Sequence, residues 1–520
     1  MSSSAKGKIL WADDEINFLE SHILFLRDKG YDVTPVNSGE DAISISKSNN
    51  FDLVLLDEMM TGIDGLETLK HIKRTQPDIP VIMITKNEEE WLMDEAIASH
   101  ISNYLLKPVS PNQIFMACKN LIEKTSIVNT HFTKDYLSTF QTLNEKIDTS
   151  KSLNDWFDIC DLLCDWIVKF DKSKANDIQP IFFEQLINAN HRFTEFISNG
   201  YKEIINSRAT KTKLTPHTIE NKIYPCLEND EKVILIIVDC LRADQWKAMT
   251  HILNRSFRIK TDYQMSLLPS ATFYSRNAIF SGMYPLDLFH SDPDLYMKML
   301  SNPKYYNRFE PDLLRSNLDK SGFSNVNTKY IKVSNYEYGS SLLRTMKNYK
   351  NVDLISMVVN FVDILGHSSS ESDALREVLV DESAYRDIIC SWTENSWFND
   401  IIMEFKSWNR KIIITSDHGS TFVEKPIKIK AYKSASPGVR YKNGKNLNTK
   451  EKSALRIANP EDYRLPSTEL NENYIIAKDD YYFVYPNNYS SYVKKLNGSF
   501  QHGGISLFEL IVPLATLVPK

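Results

Sequence analysis

The sequence predicts an α/β protein in three parts: a small doubly wound domain over residues 1–124, an all-α bundle over 125–215 and a larger α/β domain over 216–520. Three observations carry this. Between Lys8 and Lys124, short apolar runs alternate with amphipathic stretches, the pattern of a parallel sheet covered by helices on both faces. Residues 125–215 repeat apolar positions at three- and four-residue spacing, with no strand-like run. From residue 216 the α/β alternation resumes with longer apolar runs.

The strand candidates of the first domain are KILWAD, YDVTPV, FDLVLLD, PVIMIT and NYLLK, with helices over Phe18–Asp28 and Gly65–Arg74 between them. In the middle, WFDICDLLCDWIVKF and IFFEQLINANHRFTEFI predict antiparallel helices acting as a spacer. Strands of the last domain are KVILIIVDC, DLISMVVNFVD, RKIIITSDHG and SLFELIVPLATLV. The irregular stretches 284–345 and 420–500 read as insertions at its active-site edge.

A chain of 520 residues has room for three or four domains at about 100–200 residues each. Hydrophobic residues at 42% and charged residues at 25% exclude a disordered chain. The net charge of −6 gives no global field attracting nucleic acid or anionic membrane, which leaves only local basic patches for such contacts. MSSSAKGKILWADDE lacks the apolar run of a signal peptide, and Val233–Val238, the longest apolar run, falls far short of a membrane span. The six cysteines contain no CxxC pair, and Cys160 and Cys164 at helical spacing read as buried thiols. A cytoplasmic, reduced protein without membrane insertion is expected.

Asp13 and Asp14 follow the first strand candidate and Asp57 ends the third, so the three carboxylates converge at one sheet edge. They require a cation, and their hard oxygens suit Mg²⁺. Thr85 and Lys107 end the fourth and fifth strands. A carboxylate with a metal, a hydroxyl and an ammonium around it suits phosphoryl transfer: Asp57 attacks, Lys107 neutralises charge and Thr85 bonds the new phosphoryl group.

WADDE, LLDEMMTGIDG, MITKN and YLLKP resemble the receiver domain of two-component response regulators. The resemblance implies Asp57 as phosphoacceptor, with Asp14, Asp57 and the Met59 carbonyl as Mg²⁺ ligands supported by Asp13. It also implies Tyr104 as the aromatic that reports phosphorylation, and a homodimer formed on phosphorylation. Thr61 stands where the family usually has proline, which is expected to loosen that loop.

Nothing after residue 125 reads as a basic helix-turn-helix. Instead Asp239 closes VILIIVD, Asp363 and His367 lie in NFVDILGH, Asp417 and His418 close IIITSDHG, and His502 opens QHGGIS. Clusters after four strands of one sheet would converge on one edge. Their Asp and His ligands suit Zn²⁺ better than Mn²⁺, and their number exceeds what one tetrahedral ion uses, so two ions are expected. Thr272, in LLPSATFYSRNAIFSGMYP, precedes a helix and is the candidate nucleophile; alone, Ser270 or Thr272 would read as a plain N-cap.

These motifs resemble, in order, the PglZ-type domain of the alkaline phosphatase superfamily. The resemblance implies one zinc held by Asp239, Thr272, Asp417 and His418, and a second by Asp363, His367 and His502. Receiver, bundle and PglZ-type domain together resemble the response regulators of Bacteroidota linked to type IX secretion. That implies a phosphodiesterase acting on linear and cyclic oligonucleotides, a PorY-like histidine kinase and contact with a sigma factor.

Thr272 argues against a sulfatase, which needs cysteine or serine. Arg276, one turn later, is a candidate for gripping phosphate charge, or else a surface arginine. The insertion 421–456 is rich in lysine and arginine with tyrosines interleaved; Lys425, Lys428, Lys430 and Tyr441 are its substrate-binding candidates, by charge and base stacking. A solvated charged loop is the plainer reading. Two other functions use the same residues: a zinc-stabilised docking module without essential catalysis, and a phosphate monoesterase or phosphomutase.

Overall fold

A computed structural model describes residues 5–86, 101–173, 177–369, 372–429, 438–448 and 452–520. It separates into two compact units, Met1–Asp135 and Tyr136–Lys520.

The first unit is a five-stranded parallel sheet, β1 (Lys8–Ala12), β2 (Asp32–Val36), β3 (Leu53–Asp57), β4 (Val81–Thr85) and β5 (Asn103–Leu106), in the order β2-β1-β3-β4-β5. β3 and β4 are buried along their whole length, which is why they read as unbroken apolar runs. Alternate residues feed two cores, one around Trp11, Leu55 and Ile82 and the other around Leu10, Val54 and Val81. The expected helix over Phe18–Asp28 opens as a 3₁₀ turn, Ile16–Leu19, and becomes α-helical only from Glu20.

The second unit is built on a six-stranded mixed sheet: β6 (Val233–Val238), β7 (Phe257–Met265), β8 (Thr328–Val333), β9 (Leu354–Val359), β10 (Lys411–Thr415) and β18 (Ile511–Pro519), in the order β7-β18-β10-β6-β9-β8. β10, β6, β9 and β8 run parallel, and β18 is antiparallel to both its neighbours. One face packs Ile234, Ile236, Met357 and Ile412 against the helices Ala243–Leu253, Glu382–Asn395 and Trp397–Ser407. The strand read through NFVD ends at Val359; Phe361 opens the helix Phe361–Ser369.

The stretches expected to be irregular carry structure of their own. Residues 284–345 contain β8 and the helix Glu310–Lys320. The region after 420 forms small sheets from β11 (Thr421–Val423), β12 (Lys425–Lys428), β13 (Tyr441–Lys445), β14 (Ala454–Ile457), β15 (Glu472–Ala477), β16 (Tyr481–Val484) and β17 (Ser499–Gln501).

The helices Leu153–Lys172 and Gln179–Asn206 belong to the second unit, to which they are fastened by ion pairs. Lys247 Nζ binds Asp161 and Asp165, each at 2.9 Å, and Arg386 clasps Asp171 at 2.7 and 2.8 Å. The Tyr201 hydroxyl accepts from the Leu268 N–H at 2.7 Å, just ahead of Thr272. Carboxylates that look solvated in a lone amphipathic helix here clamp two layers together. Cys160 and Cys164 lie buried, 4.0 Å apart at Sγ. No helix among the described residues is long and apolar enough to cross a membrane.

Candidate active site

The carboxyl ends of β6 and β10 are stitched by Ser416, whose hydroxyl is 2.8 Å from the Val238 carbonyl and accepts from the Leu241 N–H at 2.9 Å. This sets Asp239, Asp417 and His418 side by side, all buried, with one ligand atom of each within 4.8 Å of the others. Gly419 makes the turn possible: a Cβ there would lie 1.9 Å from the Phe508 carbonyl oxygen. His418 Nδ1 sits 3.0 Å from the Gly419 carbonyl, so it carries the proton and leaves Nε2 as the lone-pair atom.

Thr272 opens the helix Thr272–Ser281, and no side chain caps that helix. Its hydroxyl, far from acting as an N-cap, lies 3.0 Å from His418 Nε2 and 3.5 Å from Asp239 Oδ1.

A second cluster lies beside the first. Asp363 and His367 sit one turn apart on the helix Phe361–Ser369, and His502 comes from the end of β17 rather than from the main sheet, as sequence spacing had suggested. His367 Nε2 and His502 Nε2 are 3.3 and 3.6 Å from Asp363 Oδ1 and 3.0 Å from each other. The His502 ring stacks on His418 at 4.2 Å between centroids, which joins the two clusters.

Both clusters fit divalent cations. Asp417 Oδ2 is buried with no hydrogen-bond partner among the described residues. Burial and the adjacent Asp417 push Asp239 up to about 7 despite Arg276. Two imidazole nitrogens at 3.0 Å must share either a proton or a cation. Burial, reinforced by His418 and His367, holds His502 well below the usual histidine range, which keeps it in the neutral, ligating form. Burial alone would raise Asp363, but its bond to His367 and the neighbouring imidazoles hold it below the ordinary carboxylate range. Carboxylate and imidazole donors in these proportions suit zinc.

Arg276 is no surface residue. It is buried, donates to Asp239, binds Glu310 at 2.6 Å and lies 3.8 Å from Asp417. A cavity of about 490 Å³ opens beside Thr272 and is lined by Lys304, Tyr306, Asn307, Arg308, Lys332 and Asn360 as well as the site carboxylates. Sequence reasoning missed all six. The available signal was the alternation in TKYIKV, which puts Tyr330 and Lys332 on the face opposite Ile331 and Val333.

The basic insertion contributes differently from expectation. Lys425 is paired with Asp480 at 3.0 Å, Lys428 sits over the Tyr489 ring at 4.7 Å and Tyr441 packs edge-on against Tyr274. None of the three lines the cavity beside Thr272. Arg440 is wholly buried against Glu509. Lys430, Tyr432, Lys433 and Lys450 lie outside the described residues.

In the first unit, Lys107 Nζ lies 3.0 Å from Asp13 and 2.9 Å from Asp57, and Asp13, Asp14 and Asp57 offer oxygens within 4.8 Å of one another. Burial pushes Asp57 up to about 6 in spite of Lys107, with Asp13 and Asp14 adding to the rise. This trio also fits a cation, here a hard one such as Mg²⁺. Thr85 donates to Glu58, and the Tyr104 ring is partly exposed. Met59 extends its side chain to solvent, so only its carbonyl is suited to a ligand role. Thr61 does not loosen its loop: its N–H and hydroxyl bind Asp14 at 3.1 and 3.0 Å. Asn87 of MITKN lies outside the described residues.

Residues 218–517 match the BREX system PglZ alkaline phosphatase-like domain, which is more than half the chain. The chain belongs to the PglZ family. Residues 9–119 match the response regulator receiver domain and 126–205 the PorX response regulator linker domain, so the three-part order is that of a PorX-like response regulator. Among curated relatives, the transcriptional regulatory protein ResD of Bacillus subtilis is 32% identical over 126 residues, covering 24% of this chain and 52% of ResD. The response regulator SaeR of Staphylococcus aureus is 33% identical over 116 residues, 22% of this chain and 50% of SaeR. The chain therefore spans about half the length of the curated relatives it matches. A response regulator receiver domain protein from Clostridium thermocellum is similar at 28% identity and a TM-score of 0.22, covering 23% of this chain and 98% of its own. A receiver implies a phosphotransfer partner such as a histidine kinase, and the PglZ domain suggests a hydrolase of the phosphatase superfamily.

Proposed function

We propose that the C-terminal domain is a zinc-dependent phosphodiesterase acting on linear and cyclic oligonucleotides, with Thr272 as nucleophile, and that phosphorylation of Asp57 controls it. The observation that carries this is the Thr272 hydroxyl, 3.0 Å from His418 Nε2 and adjoining two cation-ready clusters instead of capping its helix. A purely structural metal site has no use for a nucleophile there.

Asp239, Thr272, Asp417 and His418 would hold one zinc, and Asp363, His367 and His502 the other. Bound zinc supplies charge that lowers the pKa of the Thr272 hydroxyl and balances the oxygens around phosphorus. Thr272 Oγ1 forms its bond to phosphorus as the bond to the leaving alkoxide breaks. Water then hydrolyses the phosphothreonyl ester and regenerates the hydroxyl. The uncapped first turn of the helix Thr272–Ser281 offers backbone N–H groups to the phosphoryl oxygens. Arg276 is already engaged by Glu310 and Asp239, so it orients the Asp239 carboxylate rather than binding substrate directly.

In the receiver, Asp57 takes the phosphoryl group; Asp14, Asp57 and the Met59 carbonyl would hold Mg²⁺, which would supply charge to offset the phosphoryl oxygens. Lys107 neutralises charge, and Thr85 and Tyr104 carry the change to the surface. A PorY-like histidine kinase is the donor, phosphorylation pairs two chains, and the output reaches type IX secretion through a sigma factor.

The test is cleavage of short linear and cyclic RNA by zinc-loaded protein, with Thr272→Ala alongside and an aryl phosphate monoester in parallel. Diester cleavage that vanishes in the variant is expected. No cleavage of any substrate with zinc bound would favour a docking module, and preference for the monoester would favour a phosphomonoesterase.

A further inference from the structure

The cavity beside Thr272 has a cationic wall that the hydrolytic chemistry does not use. Lys332 lies near the carboxyl end of the edge strand β8, in register with Val358 of β9, which pairs in turn with Ile237 of β6. Asp239 is two residues beyond Ile237, so Lys332 belongs to the row that leads to the metal ligands, opposite the apolar core of Ile331 and Val333.

Its neighbours on this face are spoken for. Tyr330 donates to Glu310, and Arg276 is neutralised by Glu310 and Asp239. Among the described residues, Lys332 Nζ has no hydrogen bond or ion pair, although the residue is only half-exposed. An ammonium so placed costs stability until an anion arrives. The lip formed by residues 303–308 carries two more unpaired cations among the described residues: Lys304, and Arg308, whose guanidinium lies 5.4 Å from the centre of the Tyr305 ring. Asn307 pins this lip to the nucleophile, its amide donating to the Thr272 carbonyl at 3.3 Å. Asn360, also in the lining, presents a buried side-chain oxygen with no partner among the described residues, suited to a sugar hydroxyl. At about 490 Å³ the cavity is of ligand size.

We infer that this cleft is a second anion subsite, in which Lys332, assisted by Lys304 and Arg308, binds a phosphate one linkage away from the phosphorus attacked by Thr272. The inference rests on the diesterase reading and narrows it. The substrate class is an oligonucleotide bearing a phosphate next to the scissile linkage, in preference to a diester with two uncharged arms.

The test uses the full-length chain, zinc-loaded, in a Thr272→Ala background so that binding is read without turnover. The probes are a diadenylate without a terminal phosphate and the same dinucleotide with a 5′- or 3′-phosphate. One charge-assisted contact predicts about tenfold tighter binding of a phosphorylated form. Lys332→Gln is expected to collapse that ratio toward one, and Arg308→Ala, at an exposed position that poses no folding problem, to reduce it. Equal affinities for the probes, or a ratio unchanged by Lys332→Gln, would overturn the subsite. Turnover of bis(p-nitrophenyl) phosphate by the unsubstituted chain is measured in parallel: its absence would overturn the diesterase reading and the subsite together, whereas turnover with equal affinities would overturn the subsite alone.

Discussion

Arg440→Met separates two meanings of the basic stretch after the SDHG motif. If that stretch is a solvated strand of cations, losing one changes stability by a few tenths of a kcal/mol. In the structure Arg440 and Glu509 are both fully buried, and Arg440 donates to the Glu509 carboxylate through Nε at 2.9 Å and Nη2 at 2.7 Å. It also donates to the Tyr481 and Asp479 carbonyls. Glu509 further accepts from the Gly504 N–H at 2.9 Å and the Ser270 hydroxyl at 3.3 Å, so it braces the turn that carries His502 and the residues leading to Thr272. Removing Arg440 leaves a buried carboxylate short of its cation, a loss of about 3–5 kcal/mol. For a unit spanning residues 136–520 the unfolding entropy is about 0.8 kcal/mol/K, so its transition should fall by about 4–6 °C. Differential scanning calorimetry of the full chain, following the transition of the second unit, is the assay. Arg440→Met with Glu509→Gln should recover much of the loss, because no unpaired charge remains. A single variant within about 1 kcal/mol of the parent, or a double variant worse than the sum of its parts, would refute the reasoning.

Other perturbations follow from the same geometry. Lys442 is buried, and burial alone lowers it to about 8; the folded chain binds fewer protons than the unfolded one between that value and the ordinary lysine range, so stability rises with pH there. Urea unfolding of the second unit should therefore show stability climbing from pH 8 to pH 10, and Lys442→Met should flatten that climb. Zinc binding should release protons, more at pH 6 than at pH 8, because Asp239 is held up to about 7 by burial; calorimetry in buffers of different ionisation enthalpy reads this directly. Asp171→Asn removes the charge that clasps Arg386 and should destabilise the second unit by about 1–3 kcal/mol, measured by the same thermal transition; no change would show that this clasp holds nothing together.

What the sequence made legible follows burial. β3, β4, β6 and β10 are almost entirely enclosed, so they stand out as apolar runs, and the ligand types placed at their ends could be read directly. β7 and β8 escaped notice because they are edge strands with mixed burial, and β8 alternates a polar face that lines the cleft with an apolar face in the core. Arg440 looked solvated because its partner Glu509 is distant in sequence. Asp161, Asp165 and Asp171 pair with Lys247 and Arg386, partners distant in sequence, so nothing in the helical pattern marks them. Thr61 was expected to loosen its loop, whereas its backbone N–H and its hydroxyl each donate to Asp14. Lone charged side chains carry no mark in sequence of which ones find partners.

The nucleophile is tested most directly by trapping it. Zinc-loaded protein turning over a short ³²P-labelled oligonucleotide is quenched in acid within one turnover and digested, and the peptides are sequenced by mass spectrometry. A phosphoester adduct on Thr272, absent from Thr272→Ala together with turnover, is the predicted result. Undiminished cleavage by Thr272→Ala, or turnover whose adduct maps to another residue, would contradict the assignment of Thr272 at the centre of the site.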